Sequence, residues 1–355
     1  MNGDRPVRFG LLGFGDWAAW HARAIAELPE TELSAVAERD PRRRGAAARE
    51  FGVRTYADWE ELLAEEEGVE VVDVVLPNYL HGQAATAALG AGKNVLVEKP
   101  LGLSVEECDQ VLAALRRARS RGREPVLAVG FELRLSPVWG QVKRLVAVGE
   151  VGRLRATHLE VFRAAPQTGA GGWRLRPELV GSWLLDAPIH YFDLMRWYMA
   201  DLGEPTRLHA AAAGGGERAL VENFAATVEF RQGYAQLAYS VAGFGYAISA
   251  RVMGDRGAIE ARWERTPAGK GRGQVAVGAG DSWREVPIEG EVDETLDVRA
   301  EVRQVARAVR LGEPVAADGV AGRQAVCMCL AAERAMDRGL PVELTTGGQT
   351  EGRDG

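Results

Sequence analysis

Three cysteines in 355 residues leave no basis for a disulfide framework. Cys108 stands alone; Cys327 and Cys329 form C-x-C in an alanine-rich stretch with no histidine beside it. They read as buried thiols and imply no metal. Long apolar runs are missing too: "VEVVDVVL" is far too short to span a bilayer, and the opening "MNGDRP" lacks the apolar core of a secretory signal. The expectation is a soluble, cytoplasmic protein with no membrane partner. No basic block is present either. Lysine plus arginine total 43 against 50 acids, a net charge of -7, which argues against nucleic acid as a partner. There is no internal repeat.

What is present suits two hydrophobic cores, because 355 residues exceed what one core usually organises. Up to about residue 125, apolar strands alternate with helical patterns. The strands are expected at Arg8–Leu12, Leu33–Glu38, Val71–Leu76 and Asn94–Glu98. Helices are expected near Trp17–Leu28, Arg42–Phe51, Trp59–Ala64, Gly82–Ala91 and Val105–Arg121. After Pro125, "VLAVGF" reads as another buried strand and "SPVWGQVKRLVAVG" as a helix. Beyond it come runs of period-two patterning, among them "RLRATHLEVFRA", "YAQLAYSVAGFGYAISARVMG" and "RGAIEARWE". Helices at Pro188–Met199, Leu296–Leu311 and Ala321–Arg338 complete this part. The fold class is therefore α/β: a doubly wound parallel sheet over 1–125, then an α+β domain over 126–345 with a large, mostly antiparallel open sheet. Residues 346–355 form a polar, glycine-rich tail expected to be flexible.

Between the first strand and first helix, Gly13, Gly15 and Ala18 spell G-x-G-x-x-A. For a dinucleotide each small residue has a purpose: a tight turn, close approach of backbone N–H groups to the pyrophosphate, and close packing of helix on strand. Glu38 ends the second strand, where a carboxylate accepts hydrogen bonds from the adenosine ribose hydroxyls. It would repel a ribose 2′-phosphate and argues for NAD, whereas Arg39 and the arginines of "DPRRRG" keep NADP open. Phe14, Asp16 and Trp17 in the loop are further candidate cofactor contacts, as are Pro77, Asn78 and His81 in "LPNYLH", and Glu98 with Lys99. His21, on the apolar side of the first helix, reads as packing.

The stretch "VVDVVLPNYLHGQAATAALGAGKNVLVEKPLGLSVEEC", with its Glu98-Lys99-Pro100, closely resembles the Gfo/Idh/MocA oxidoreductases. So do "VGFELRLSPVWGQVKRLVAVGEVGRL", "GWRLRPELVGSWLLDAPIHYFDLMRWYM" and "VMGDRGAIEA". The resemblance implies a Rossmann domain, a C-terminal sheet carrying substrate and subunit contacts, a nicotinamide cofactor, and a lysine-aspartate-histidine constellation at the reacting carbon. Lys99, Asp186 and His190 match those three. Many members have glycine where Pro188 stands, a change expected to reshape the pocket floor.

The chemistry is coherent without the family. Oxidising a secondary alcohol moves a hydride to the nicotinamide and needs a base for the hydroxyl proton, a role suited to His190. Asp186, one helical turn earlier, is expected on the same helical face, to orient the imidazole or bind a neighbouring hydroxyl; with Pro188 behind it, it also suits an N-cap. Lys99, at a strand's carboxyl end, would stabilise a developing alkoxide. Arg134, Trp173 and Arg174, with Asp186 and His190, are candidate substrate contacts. Glu160 and Arg163 lie in flanking blocks, but arginines at strand ends are usually solvated.

The expected function is NAD(P)-dependent hydride transfer at a secondary hydroxyl or ketone of a sugar, sugar derivative or cyclitol. Two alternatives use the same parts: an NAD-dependent glycoside hydrolase and a non-catalytic dinucleotide sensor. A homodimer or homotetramer is expected through the C-terminal sheet, since a bare apolar sheet face would aggregate.

Overall fold

The computed structural model describes residues 5–164, 168–215, 221–241 and 245–344; the 346–355 tail lies outside them. Six strands build a parallel sheet: β1 (Val7–Leu12), β2 (Thr31–Ala37), β3 (Arg54–Tyr56), β4 (Val71–Val74), β5 (Asn94–Glu98) and β6 (Leu127–Gly130), ordered β3-β2-β1-β4-β5-β6. Between them run α1 (Asp16–Glu27), α2 (Pro41–Phe51), α3 (Trp59–Glu65), α4 (Asn78–Gly90) and α5 (Val105–Ser120). The order reverses between β1 and β4, which opens the crevice where sheets of this kind take ligands.

The chain continues through α6 (Pro137–Ala147), β7 (Leu154–Arg163), α7 (Pro177–Val180), α8 (Trp183–Asp186) and α9 (Ile189–Tyr198). It then forms β8 (Arg207–Gly215), β9 (Val221–Phe230), β10 (Gly233–Ser240), β11 (Tyr246–Gly254), β12 (Ala258–Arg265), β13 (Gly271–Ala279) and β14 (Ser282–Glu285). Last come α10 (Glu294–Leu311), α11 (Gly319–Arg338) and β15 (Val342–Glu343). The second sheet is ordered β14-β13-β12-β11-β7-β10-β9-β8-β15 and is antiparallel except where β7 and β10 run parallel. The expected fold class is the one that forms. No helix among the described residues is long and apolar enough to cross a membrane.

Contacts divide the chain into two compact units, one from 1–135, 169–181 and 294–323, the other from 136–168, 182–293 and 324–355. In the first, Val298, Val302 and Val305 of α10 join Phe9, Leu11, Ile25 and Leu96 in one buried cluster. In the second, strand alternation separates two faces. Leu159, Val161, Leu237, Ile248, Ile259 and Val275 are buried on one, against α6 and α9. Glu160, Gln236, Arg251 and Arg262 alternate with them on the other, which forms a shallow hollow of about 920 Å³. That open face is mixed: charged and amide groups stand among alanines and the exposed Trp283, and Arg251 pairs with Glu260 across the strands.

Two further expectations are corrected. Asp186 and His190 do not share one helix: Asp186 ends α8, Ala187 (φ −119, ψ −45) breaks the register, and Pro188 takes the N-cap position of α9 without a side-chain cap. The proline ring has no N–H with which to carry α8 onward, so the turn between them is rebuilt. The helix expected from Gly82 starts instead at Asn78, placing Asn78 and His81 in the first turn of α4.

Candidate active site

Gly13 follows β1 with φ +94, and its N–H donates to Ala37 O at 2.8 Å. A Cβ there would stand 2.3 Å from the Val75 carbonyl oxygen, so only glycine lets the chain turn at this point. Gly15 is the N-cap of α1 and offers no side chain to satisfy the first helical N–H groups. Those donors, with the positive end of the helix dipole, suit an anion. Ala18 is buried beneath, as close helix packing demands. Phe14 buries its ring edge-on against Phe51, so it offers the loop only backbone. Its N–H donates to Glu38 Oε2 at 2.7 Å, while Glu38 Oε1 accepts from Asp40 N–H at 2.8 Å. The carboxylate at the end of β2 therefore rests on the glycine loop. Asp16 and Arg39 are exposed, and Arg44 braces this corner by donating to Glu38 O at 2.7 Å.

Lys99 follows β5, half-buried, and its N–H donates to Glu98 Oε2 at 3.2 Å. Trp17 Nε1 donates to Glu98 Oε1 at 2.9 Å, tying the first turn of α1 to the strand end that carries the lysine. Behind lies a network the sequence reading missed. His21 does more than pack: it is buried with Nδ1 2.9 Å from Asp73 Oδ2 and Nε2 3.3 Å from Glu98 Oε1. Burial disfavours the imidazolium, but the charge and hydrogen bond of Asp73, and then Glu98, outweigh it and raise His21 well above its ordinary value. Burial would likewise raise Glu98; the His21 hydrogen bond and charge, with Lys99, instead hold it down to about 2.

Glu301 of α10 completes the cluster, its donor atom within 4.8 Å of those of His21 and Glu98. Both its carboxyl oxygens are buried without a hydrogen-bond partner among the described residues. Burial, then the charge of Glu98, raises its carboxyl well above the ordinary range, so a proton neutralises it. The sign follows: a raised carboxyl stabilises fully below its unfolded value of 4.5 and loses that contribution as pH rises through its folded value. Glu301→Gln mimics the protonated form. Its melting temperature is expected to exceed wild type by about 2 °C or more at pH 8, with the gap closing towards pH 5. A gap that widens as pH falls would refute the assignment.

Around this core the other candidates are already engaged. His81 is buried, with Nδ1 and Nε2 each 2.7 Å from a carbonyl, of Pro100 and Leu76 respectively. Burial, opposed by these carbonyls, lowers its pKa, and neither ring nitrogen faces open space. Pro77 takes the N-cap position of α4 without a side-chain cap, and Asn78 Nδ2 donates to Val180 O at 3.2 Å. Arg134 is buried and donates to Ala316 O at 2.5 Å. Arg174 lies 5.0 Å over the Trp173 ring.

In the second unit, Asp186 is buried and His190 half-buried, with Nδ1 of the imidazole in the interior. Near Asp186 is a group expected at the solvated surface. Arg163 ends β7 on the covered face, opposite Tyr246 of β11, and stacks its guanidinium 4.8 Å over that ring. Tyr246 Oη is 3.0 Å from Tyr191 Oη, and Tyr191 packs at 5.8 Å from Tyr239. Period-two counting from Leu159 and Val161 places Arg163 on the covered face; the general exposure of arginine misleads here.

Comparison with known proteins fits this geometry. The model of an oxidoreductase family with an NAD-binding Rossmann fold matches residues 7–123, and that of the Gfo/Idh/MocA C-terminal domain matches 139–260. Inositol 2-dehydrogenase 1 of Saccharopolyspora erythraea is 29% identical over 350 residues, covering 95% of this chain and 96% of its own. Levoglucosan dehydrogenase of Pseudarthrobacter phenanthrenivorans is 30% identical over 208 residues, 55% of this chain and 52% of its own. The chain thus spans about half the length of the first curated relatives it matches, 44% and 52%. A solved levoglucosan dehydrogenase in complex with NADH and levoglucosan shares the fold at TM-score 0.84 and 20% identity, covering 96% of this chain and 100% of that one. With models of both its N-terminal and C-terminal parts matched in order, the chain belongs to the Gfo/Idh/MocA family of oxidoreductases.

Proposed function

We propose that this chain is an NAD-dependent dehydrogenase or reductase acting at a secondary hydroxyl or ketone of a sugar, sugar derivative or cyclitol. The observation that carries the reading is Gly13, whose missing side chain opens the glycine loop above an α1 terminus with no side-chain cap. The inositol and levoglucosan dehydrogenases among the relatives support a polyol substrate.

Gly13, Gly15 and the first turn of α1 would hold the pyrophosphate, and Glu38 the adenosine ribose. When bound, the nicotinamide supplies the hydride acceptor or donor. His190 takes the hydroxyl proton during oxidation and returns it during reduction; its Nδ1 is buried, so Nε2 is the atom assigned to this transfer. Asp186 orients the imidazole or binds a neighbouring hydroxyl. Lys99 donates to the reacting oxygen and stabilises its negative charge in both directions. The second unit, with its nine-stranded sheet, serves substrate binding and association.

Titration of the cofactor-stripped protein with NADH and NADPH, then a polyol screen at the reduced nicotinamide absorbance band, tests the reading. Binding with net oxidation of a polyol supports it. Binding without net redox change would turn it towards the hydrolase or the sensor, and no binding would end it. Glu38→Ala is expected to weaken NADH by about tenfold or more and NADPH by less, since it removes a ribose acceptor and a repulsive charge together. Equal losses would sink the ribose assignment. The open face of the second sheet is assigned to a second copy of the chain, making a homodimer or homotetramer. Its mixed charges suit cross-subunit pairing better than bare exposure. A monomer by light scattering at micromolar concentration would overturn that assignment.

A further inference from the structure

Arg163 poses a problem of charge. Its Nε is buried without a hydrogen-bond partner of ordinary geometry among the described residues, and the Tyr239 hydroxyl, likewise without one, lies close enough to the guanidinium to act on it. The groups that act on it most strongly after burial are the phenols Tyr246, Tyr239 and Tyr191, with Asp186 following. Tyr191 and Tyr239 are 1% and 2% exposed, whereas Arg163 and Tyr246 keep partial access. Burial raises both phenols, so they remain neutral O–H donors across the working pH range. A guanidinium with one unsatisfied donor, set among neutral hydroxyls with a single carboxylate near, gains from a further anionic partner on the side that keeps access.

We infer that Arg163, framed by Tyr191, Tyr239 and Tyr246, receives a carboxylate of the substrate, making the preferred substrate a polyhydroxy acid such as a sugar acid. This rests on the dehydrogenase reading and narrows its substrate class. A hydroxyl oxygen would accept from one guanidinium N–H; a carboxylate accepts from two in the planar fork and neutralises the charge as well. One buried guanidinium matches a monoanion. A phosphate dianion normally draws further cations; a second guanidinium, Arg265, does lie 5.6 Å over the Tyr246 ring but is exposed, and the groups acting most on Arg163 are phenols and a carboxylate. Because Asp186 shares this field, the acid must bind as a pair with Arg163 rather than through diffuse attraction.

The test measures kcat/KM with NAD on matched pairs, glucose with glucuronate and galactose with galacturonate, and on glucose 6-phosphate. Wild type is expected to favour each acid over its neutral parent by at least about tenfold, mainly through KM. Arg163→Gln should collapse that ratio towards one, and Arg163→Lys, which keeps the charge but loses the fork, should restore part of it. Tyr246→Phe, which removes a hydroxyl and leaves the cation, should lower the ratio less and guards against misfolding of the arginine variants. Neutral sugars turned over as well as acids, or a ratio unchanged in Arg163→Gln, would overturn the inference and leave the dehydrogenase reading standing. Preference for the phosphate over both would overturn the carboxylate assignment. If no pair reduces NAD, the dehydrogenase reading itself fails for these sugars; glucuronate binding to the NADH-loaded protein by calorimetry then decides the inference. Binding lost in Arg163→Gln supports it, and no binding to wild type overturns it.

Discussion

His190→Ala is expected to lower turnover by at least ~100-fold while NADH affinity stays within about twofold, because the variant loses a proton acceptor and leaves the residues of the glycine loop unchanged. The separation matters. A change that merely loosened α9 would lower the melting temperature and raise KM, whereas loss of proton transfer lowers kcat and abolishes the pH dependence that the imidazole imposes. Asp186 and His190 sit on two short helices with Ala187 and Pro188 between them, so the pair is held by that turn and not by one helical repeat. Asp186→Asn should therefore reduce turnover by a smaller factor than His190→Ala, since the imidazole keeps its place on α9. Turnover near wild type in His190→Ala would remove His190 from the mechanism.

The largest structural effect is expected at Gly13→Ala. The new methyl meets a backbone carbonyl oxygen at 2.3 Å, and no rotamer change relieves a clash with backbone. Its φ of +94 adds the strain an L-residue feels in left-handed space. Together these should cost about 3 kcal/mol or more, unless the end of β4 moves away and spoils the cofactor crevice. Two glycines serve as controls. Gly52, at φ +68 with nothing near its missing Cβ, should lose only about 1 kcal/mol as alanine. Gly15 adopts φ −80, and its nearest neighbour would be the flexible tip of Arg43 at 3.8 Å, so Gly15→Ala should fold normally. It should nonetheless weaken NADH, because its methyl would stand where the loop backbone approaches the pyrophosphate. Calorimetric unfolding and NADH titration of the three variants check this order; a Gly13→Ala protein as stable as Gly52→Ala would contradict it.

The strand-glycine-helix opening was legible because three small residues and a terminal acid are local signals. Elements held by partners were not. β8 is rich in alanine and glycine, poor strand formers, and takes its conformation from its register with β9. β3 is three residues long and joins β2 at the sheet edge, and β13 alternates glycine with polar groups. At the site, Lys99, Asp186 and His190 stood out through the family resemblance and their chemistry. The link between His21 and Asp73 spans 52 positions and left only the trace of a polar residue at an apolar position in each element. Arg163 could have been placed by extending the alternation of its own strand, had that local rule outweighed the average behaviour of arginines.

The assignment of α10 to the first unit has a consequence for biosynthesis. Val298, Val302, Val305 and Ala306 close a core whose other members, from Val7 to Ala128, leave the ribosome far earlier. At ~5–20 residues per second, the segment between residues 135 and 294 takes ~10–30 s to make. Throughout that interval the nascent N-terminal sheet carries an uncovered apolar surface, and its buried acids lack Glu301. The nascent chain is thus expected to depend on chaperone protection during translation, and its first half to express poorly alone.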